Sequence, residues 1–149
     1  MYLLDTNVLS EMRKVSRTGS SSARPSSLKI DRNVERWVSS VSALDLHLSM
    51  VSILELERGF HLLHRRDPAQ AEVIRSWVRT RVLPSFDGRI LAVDLAIAQC
   101  CAALQIPNPI EYRDSLIAAT ALVHGMTVVT RNVAHFKPTG VALLNPWGD

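Results

Sequence analysis

Apolar and polar positions alternate along the chain in short blocks. Tyr2, Leu3 and Leu4 form an apolar run too short for a helix, and it stops abruptly at Asp5, Thr6 and Asn7. Such a run predicts a buried strand with a carboxylate set at its end. NVLSEMRK then takes helical spacing, with Thr6 or Asn7 available as cap, until SRTGSSSARPSS breaks every period. DRNVERWVSSV resumes as a helix capped by Asp31, with Val34, Trp37, Val38 and Val41 on one face, and LHLSM reads as a second strand.

The pattern repeats downstream. SILELERGFHLLHRR predicts a helix, and PAQAEVIRSWVRTRVLPSF another that enters through Pro68, where a first turn accepts proline. RILAV is a third strand, DLAIAQCCAALQ a helix capped by Asp94, and IPNPIEY a loop. YRDSLIAATALVHG is a helix ended by Gly125, TVVT a fourth strand, NVAHF a turn and VALLN a fifth strand. Strands alternating with helices at these spacings predict an α/β fold: a parallel sheet of about five strands covered by helices on both faces. Ligands of such sheets bind beyond the carboxyl ends of the strands, which is where Asp5 falls.

At 149 residues, with 47% hydrophobic and 21% charged positions, the chain is expected to form one domain over residues 1–149 with a mobile basic, serine-rich loop at about 15–30. Cys100 and Cys101 are adjacent within an apolar run and make a poor disulfide pair, so a secreted disulfide scaffold is disfavoured. No signal peptide is visible and no window approaches a membrane span, which leaves a cytoplasmic, non-membrane protein as the expectation. The net charge of +3 and the sequence pI of about 9.2 lean towards polyanions. Residues 12–30 sharpen that lean, since they hold Arg13, Lys14, Arg17, Arg24 and Lys29 without an acid.

Four acids near element ends are candidates for chemistry, and three of them also have a plain structural explanation. Ser52 to Glu55 fits a capping box, Asp94 fits an N-cap, and Asp114 lies in a first turn where the helix dipole favours a carboxylate. The combination changes the weighing: Asp5, Glu55 and Asp114 all fall at ends that a parallel sheet brings to one edge. Carboxylates gathered there repel unless a cation lies between them. Oxygen donors without a His or Cys cluster point to Mg²⁺, with Mn²⁺ as the other candidate, rather than zinc. His61 and His64 sit beside Arg65 and Arg66 as helix surface. No phosphate-binding glycine loop, dinucleotide fingerprint or serine-nucleophile elbow is present. A metal-dependent phosphatase of the haloacid dehalogenase type would carry an Asp at position 7, where this chain has Asn7.

LLDTNVLSE, SILELERG, RDSLIAATAL, TVVTRN and a closing NPW follow one another in this order. Together they resemble the PIN-domain ribonucleases, specifically the VapC-type toxins of bacterial toxin-antitoxin pairs in the FitB-like branch. The resemblance implies a PIN-like three-layer sandwich and an acidic site that cleaves RNA with a divalent metal. Carried over motif by motif, it implies Asp5, Glu55 and Asp114 as metal-binding and catalytic acids, with Thr6, Asn7, Thr130 and Asn132 supporting them. Arg13, Lys14, Arg113 and Arg131 are candidate RNA contacts that position phosphate without reading sequence. It further implies a small VapB-like or FitA-like antitoxin whose C-terminal tail occupies the site through an inserted Arg, a homodimer built through helices, and a toxin-antitoxin hetero-oligomer.

Two departures from the pattern stand out. Many relatives carry a fourth acid in or after the T-R-[ND] segment, whereas this chain reads TRNVAHF, with Asn132 and His135. Three formal negatives suit one metal in the free protein and a second that depends on RNA phosphate. The missing acid also keeps open an inactive PIN-like module that binds RNA or protein without cleaving. The second departure is the basic segment at 15–30, either an RNA-contact arm or an inert insertion.

Overall fold

The computed structural model describes residues 1–18 and 29–148. Five parallel strands, β1 (Tyr2–Leu4), β2 (Leu46–Ser49), β3 (Ile90–Leu91), β4 (Thr127–Val129) and β5 (Leu143–Leu144), lie in the spatial order β3-β2-β1-β4-β5. Successive side chains of a strand point to opposite faces, so the apolar pairs in β1 and β4 each serve two cores. Leu4 and Val129 face Val8 and Leu9 of α1 (Thr6–Thr18), Leu56 of α3 (Met50–His64), and Val78 and Val82. Leu3 and Val128 face Ile117, Ala118 and Ala121 of α7 (Tyr112–His124) and Phe136 of α8 (Val133–Phe136). A further helix, α6 (Leu95–Leu104), packs on α7 through Ile97, Cys101 and Ala119, where small side chains permit close approach. This is the expected three-layer sandwich.

Strand order decides where a site can form. From β1 the chain moves to β2 and β3 on one side, then returns to lay β4 and β5 on the other. The order reverses between β1 and β4, and a crevice opens beyond their carboxyl ends. The ladder carries past the strands proper, with Asp5 N–H donating to Val129 O at 2.9 Å and Thr130 N–H to Leu144 O at 3.0 Å. Asp5 and Thr130 therefore flank the reversal.

Several local readings need correction. Thr6 and Asn7 are not caps of α1: the helix begins at Thr6, Asp5 Oδ1 accepts from Thr6 N–H at 2.8 Å, and Asp5 O accepts from Val8 and Leu9. The helix also runs on to Thr18, past the break in periodicity, and residues 19–28 of the serine-rich segment lie outside the described residues. Ser49 rather than Ser52 caps α3, its Oγ accepting from Val51 N–H at 3.0 Å, so Glu55 sits in the second turn with no capping box to close. In α2 (Arg32–Ser40), capped by Asp31 as expected, Val34 is buried while Trp37, Val38 and Val41 are only partly so.

The long helix predicted from Pro68 is α4 (Pro68–Trp77), a π-helical stretch (Val78–Val82) and α5 (Leu83–Ser85) in one continuous path. Pro84 lacks a donor and its ring crowds the turn before it, which accounts for the widening. The strands β3 and β5 are shorter than RILAV and VALLN suggested, and NVAHF forms the one-turn helix α8 because Phe136 is fully buried. Asp94 caps α6 through Ile97 N–H at 3.0 Å, and Gly125 ends α7 with φ 65°, the left-handed conformation glycine tolerates best. Among the described residues no helix is long and apolar enough to cross a membrane.

Arg89 fastens the sheet edge. Its guanidinium donates to Leu46 O at 2.6 Å and to the carbonyls of Ala43 and Ser85, and it lies over the Phe86 ring at 5.2 Å. Arg89→Met strands those carbonyls and is expected to cost about 1–3 kcal/mol, seen as a fall of several degrees in thermal denaturation. Arg89→Lys, with one compact head in place of a planar fork, is expected to recover only part of the loss.

Candidate functional site

The crevice at the strand reversal is a cavity of about 640 Å³ lined by Asp5, Thr6, Asn7, Glu55, Arg113, Asp114 and Asn132 among others. Asp5 is the most enclosed of its acids, with 6% of its surface exposed. Thr6 N–H holds Oδ1, while Oδ2 accepts from Thr130 Oγ1 at 2.7 Å and from Asn7 Nδ2 at 3.2 Å. Thr130 Oγ1, itself fully buried, accepts in turn from Asn132 N–H at 3.0 Å. Asn7 Oδ1 accepts from Arg131 N–H at 3.3 Å. This network ties the loop after β4 to the start of α1 and fixes one carboxylate at the crevice floor.

Glu55 reaches the cavity from α3 and Asp114 from the first turn of α7. Burial raises the pKa of both, and the charge of Asp5 raises each further; Arg113 opposes the rise at Glu55, and His135 and Arg113 oppose it at Asp114. His135 Nδ1 stands 3.5 Å from Asp114 Oδ2. Thr6 Oγ1 is buried and makes no hydrogen bond of good geometry, although it lies near enough to Glu55 to favour that group's charged form. Mutually repelling oxygen donors beside an orphaned hydroxyl suit a hard divalent cation in their chemistry. Among the described residues no three His, Cys, Asp or Glu side chains are drawn together into a ready-made metal cage. The acids share a cavity without converging on one point.

The basic candidates divide. Arg113 lines the cavity but pairs with Glu111 at 3.1 Å. Lys14 pairs with Glu11 at 2.8 Å, Arg13 lies over the Trp77 ring at 5.8 Å, and Arg131 lies over Trp147 at 5.4 Å. None of these last three is among the cavity's lining residues.

The residue sequence reasoning missed is Glu111. It lines the cavity, so four carboxylates face it rather than three. It is also the N-cap of α7: Oε2 accepts from Asp114 N–H at 3.4 Å while Oε1 takes Arg113. Glu is an uncommon N-cap, and IPNPIEY read only as a loop. With both oxygens engaged, one by Arg113, Glu111 holds the first turn of α7 at Asp114. Ser10, exposed on the first turns of α1, completes the wall unnoticed.

Residues 2–139 match the PIN domain family. The chain is 33% identical to Toxin FitB of Neisseria gonorrhoeae, with all of both chains covered. It is 32% identical to VapC ribonuclease Y4jK of Sinorhizobium fredii, covering 99% of this chain and 98% of the relative. In three dimensions it is similar to a chain of FitAB bound to an IR36 DNA fragment, with a TM-score of 0.80, 33% identity, and coverage of 100% of this chain and 97% of the other.

The raised carboxylates carry a pH signature. A carboxyl group whose pKa is higher folded than unfolded makes the native state bind more protons, so stability falls as pH rises through that window, beginning near pH 4. In chelator, Glu55→Gln is therefore expected to raise the melting temperature by a few degrees at pH 7.5 and to gain nothing at pH 4. Equal melting of the variant and the parent at both pH values would show that the acids do not repel.

Proposed function

The chain belongs to the PIN-domain family, and its full-length relatives include a toxin and a VapC ribonuclease; from that premise we propose that it is a divalent-metal-dependent endoribonuclease acting as the toxin of a toxin-antitoxin pair. The observation that carries the reading is the Asp5 network at the strand reversal, with Glu55 and Asp114 in the same cavity. Asp5, Asp114 and Glu55 are the residues that would hold Mg²⁺ or Mn²⁺. When bound, the ion supplies Lewis acidity to the scissile phosphate and acidifies water.

The chain's own groups do the rest. Thr130 and Asn7 keep Oδ2 of Asp5 from rotating, so the carboxylate presents a fixed edge to the cavity. Glu55, half-buried on α3 at the cavity wall, would bind the ion or hold a water beside it through a carboxylate oxygen. Glu111 and Arg113 hold the first turn of α7 so that Asp114 faces inward. Asn132, exposed at the rim, would donate to phosphate.

The relative solved as FitAB bound to DNA supports an antitoxin partner for this chain too. That partner is a small protein whose C-terminal tail enters the cavity with an Arg, satisfying the acids that repel one another when empty-handed. Toxin homodimers and toxin-antitoxin hetero-oligomers complete the assembly. Asn132 in place of an acid supports one ion in the free protein and a second recruited with RNA.

Asp5→Asn is expected to abolish both RNA cleavage and Mn²⁺ binding while leaving the circular dichroism spectrum unchanged. A variant that cuts RNA at the parent rate in Mg²⁺ would remove the assignment, and a parent that binds RNA and metal without cutting would establish an inactive binding module. RNA affinity is also expected to fall steeply between 50 and 200 mM salt, on the order of 0.7 log units per log of salt for each phosphate neutralised. A flat salt response would exclude a phosphate-tracking surface.

A further inference from the structure

The acidic cavity does not end at Glu55. A second cavity of about 260 Å³ shares Thr6, Ser10 and Glu55 with it and continues between α1, α3 and α4, where Arg13, Gly59 and Trp77 line it. Trp77, partly buried against the α1 side of the core, forms its far wall, with the Arg13 guanidinium 5.8 Å from the ring centroid. Gly59 is exposed in the middle of α3, and a Cβ built there meets nothing within 4 Å. Glycine costs a helix stability relative to alanine. Among the described residues nothing approaches that position, and the open space beside Gly59 gives access to the groove from outside.

Resting on the ribonuclease reading above, we propose that this side groove is a nucleobase subsite in which Trp77 stacks the base of a nucleotide flanking the scissile phosphate. The groove is smaller than the roughly 300–1,000 Å³ of a pocket for a drug-sized ligand, and it suits one ring. The Arg13 guanidinium lies over the Trp77 ring, and an entering base takes its place on the ring while the cation swings to the adjoining phosphate, the pairing of aromatic and cation that single-stranded nucleic acid uses. Gly59 keeps the groove floor low beneath the base.

The test uses labelled single-stranded oligoribonucleotides, each with one abasic position, scored for binding by anisotropy in Ca²⁺ and for cleavage in Mg²⁺. One abasic position is expected to weaken binding to the parent protein on the order of tenfold, and to make no difference to Trp77→Leu. Trp77→Phe should retain the dependence. Gly59→Leu should weaken the intact oligonucleotide to a similar extent, whereas Gly59→Ala should raise the melting temperature. The proposal is overturned if no abasic position matters, or if Trp77→Leu weakens every oligonucleotide equally with its abasic profile unchanged. RNA binding untouched in both Trp77→Leu and Gly59→Leu also overturns it and gives the groove to a polypeptide. Base-dependent binding without any cleavage would remove the nuclease reading and leave the subsite standing.

Discussion

Everything at this site depends on one carboxylate held in place at the carboxyl ends of the central strands. Asp5 sits at the end of β1 beside β4, where a buried polar group needs hydrogen-bond partners. Thr6 N–H, Asn7 Nδ2 and Thr130 Oγ1 supply them, donating to it from both sides. The donors come from α1 and from the end of β4, so the network cannot form unless the strand order reverses between β1 and β4. Topology and electrostatics are here the same constraint.

The neighbouring acids are treated differently. Glu55 and Asp114 lie only partly buried and receive less help, so burial and mutual repulsion lift their pKa values. Glu111 belongs to the same wall but is spent on the backbone of α7 and on Arg113. The cavity thus combines a rigid acid, two acids under electrostatic load and one structural acid. Asn132, on the same wall, adds no charge to it.

The fold, and the gathering of Asp5, Glu55 and Asp114 at one cavity, were legible because they rest on local pattern. Tyr2-Leu3-Leu4 against Asp5 marks a strand end, and the spacing of apolar blocks marks the crossovers. What sequence alone hid was competition between near-equal local choices. Ser49 and Ser52 both offer a cap to α3, and packing of Val51 and Ser52 against the sheet decides for the first. The widened turn at Val78–Val82 reflects Pro84 within a helix that stays continuous, and periodicity does not register such a bulge. Glu111 stayed hidden because a cap is defined by backbone geometry that a proline-rich loop does not announce. The side groove was invisible for a different reason: it is made by residues 6, 13, 59 and 77, which no spacing rule connects.

The span between Asp5 and its partner has a consequence for synthesis. Thr130 lies 125 residues downstream of the carboxylate it donates to, and β4 must pair with β1 before that bond exists. During translation the first strand leaves the ribosome long before its neighbour on that side. A nascent or truncated chain therefore has no assembled pocket, and the cell meets the finished crevice only when nearly the entire polypeptide has emerged.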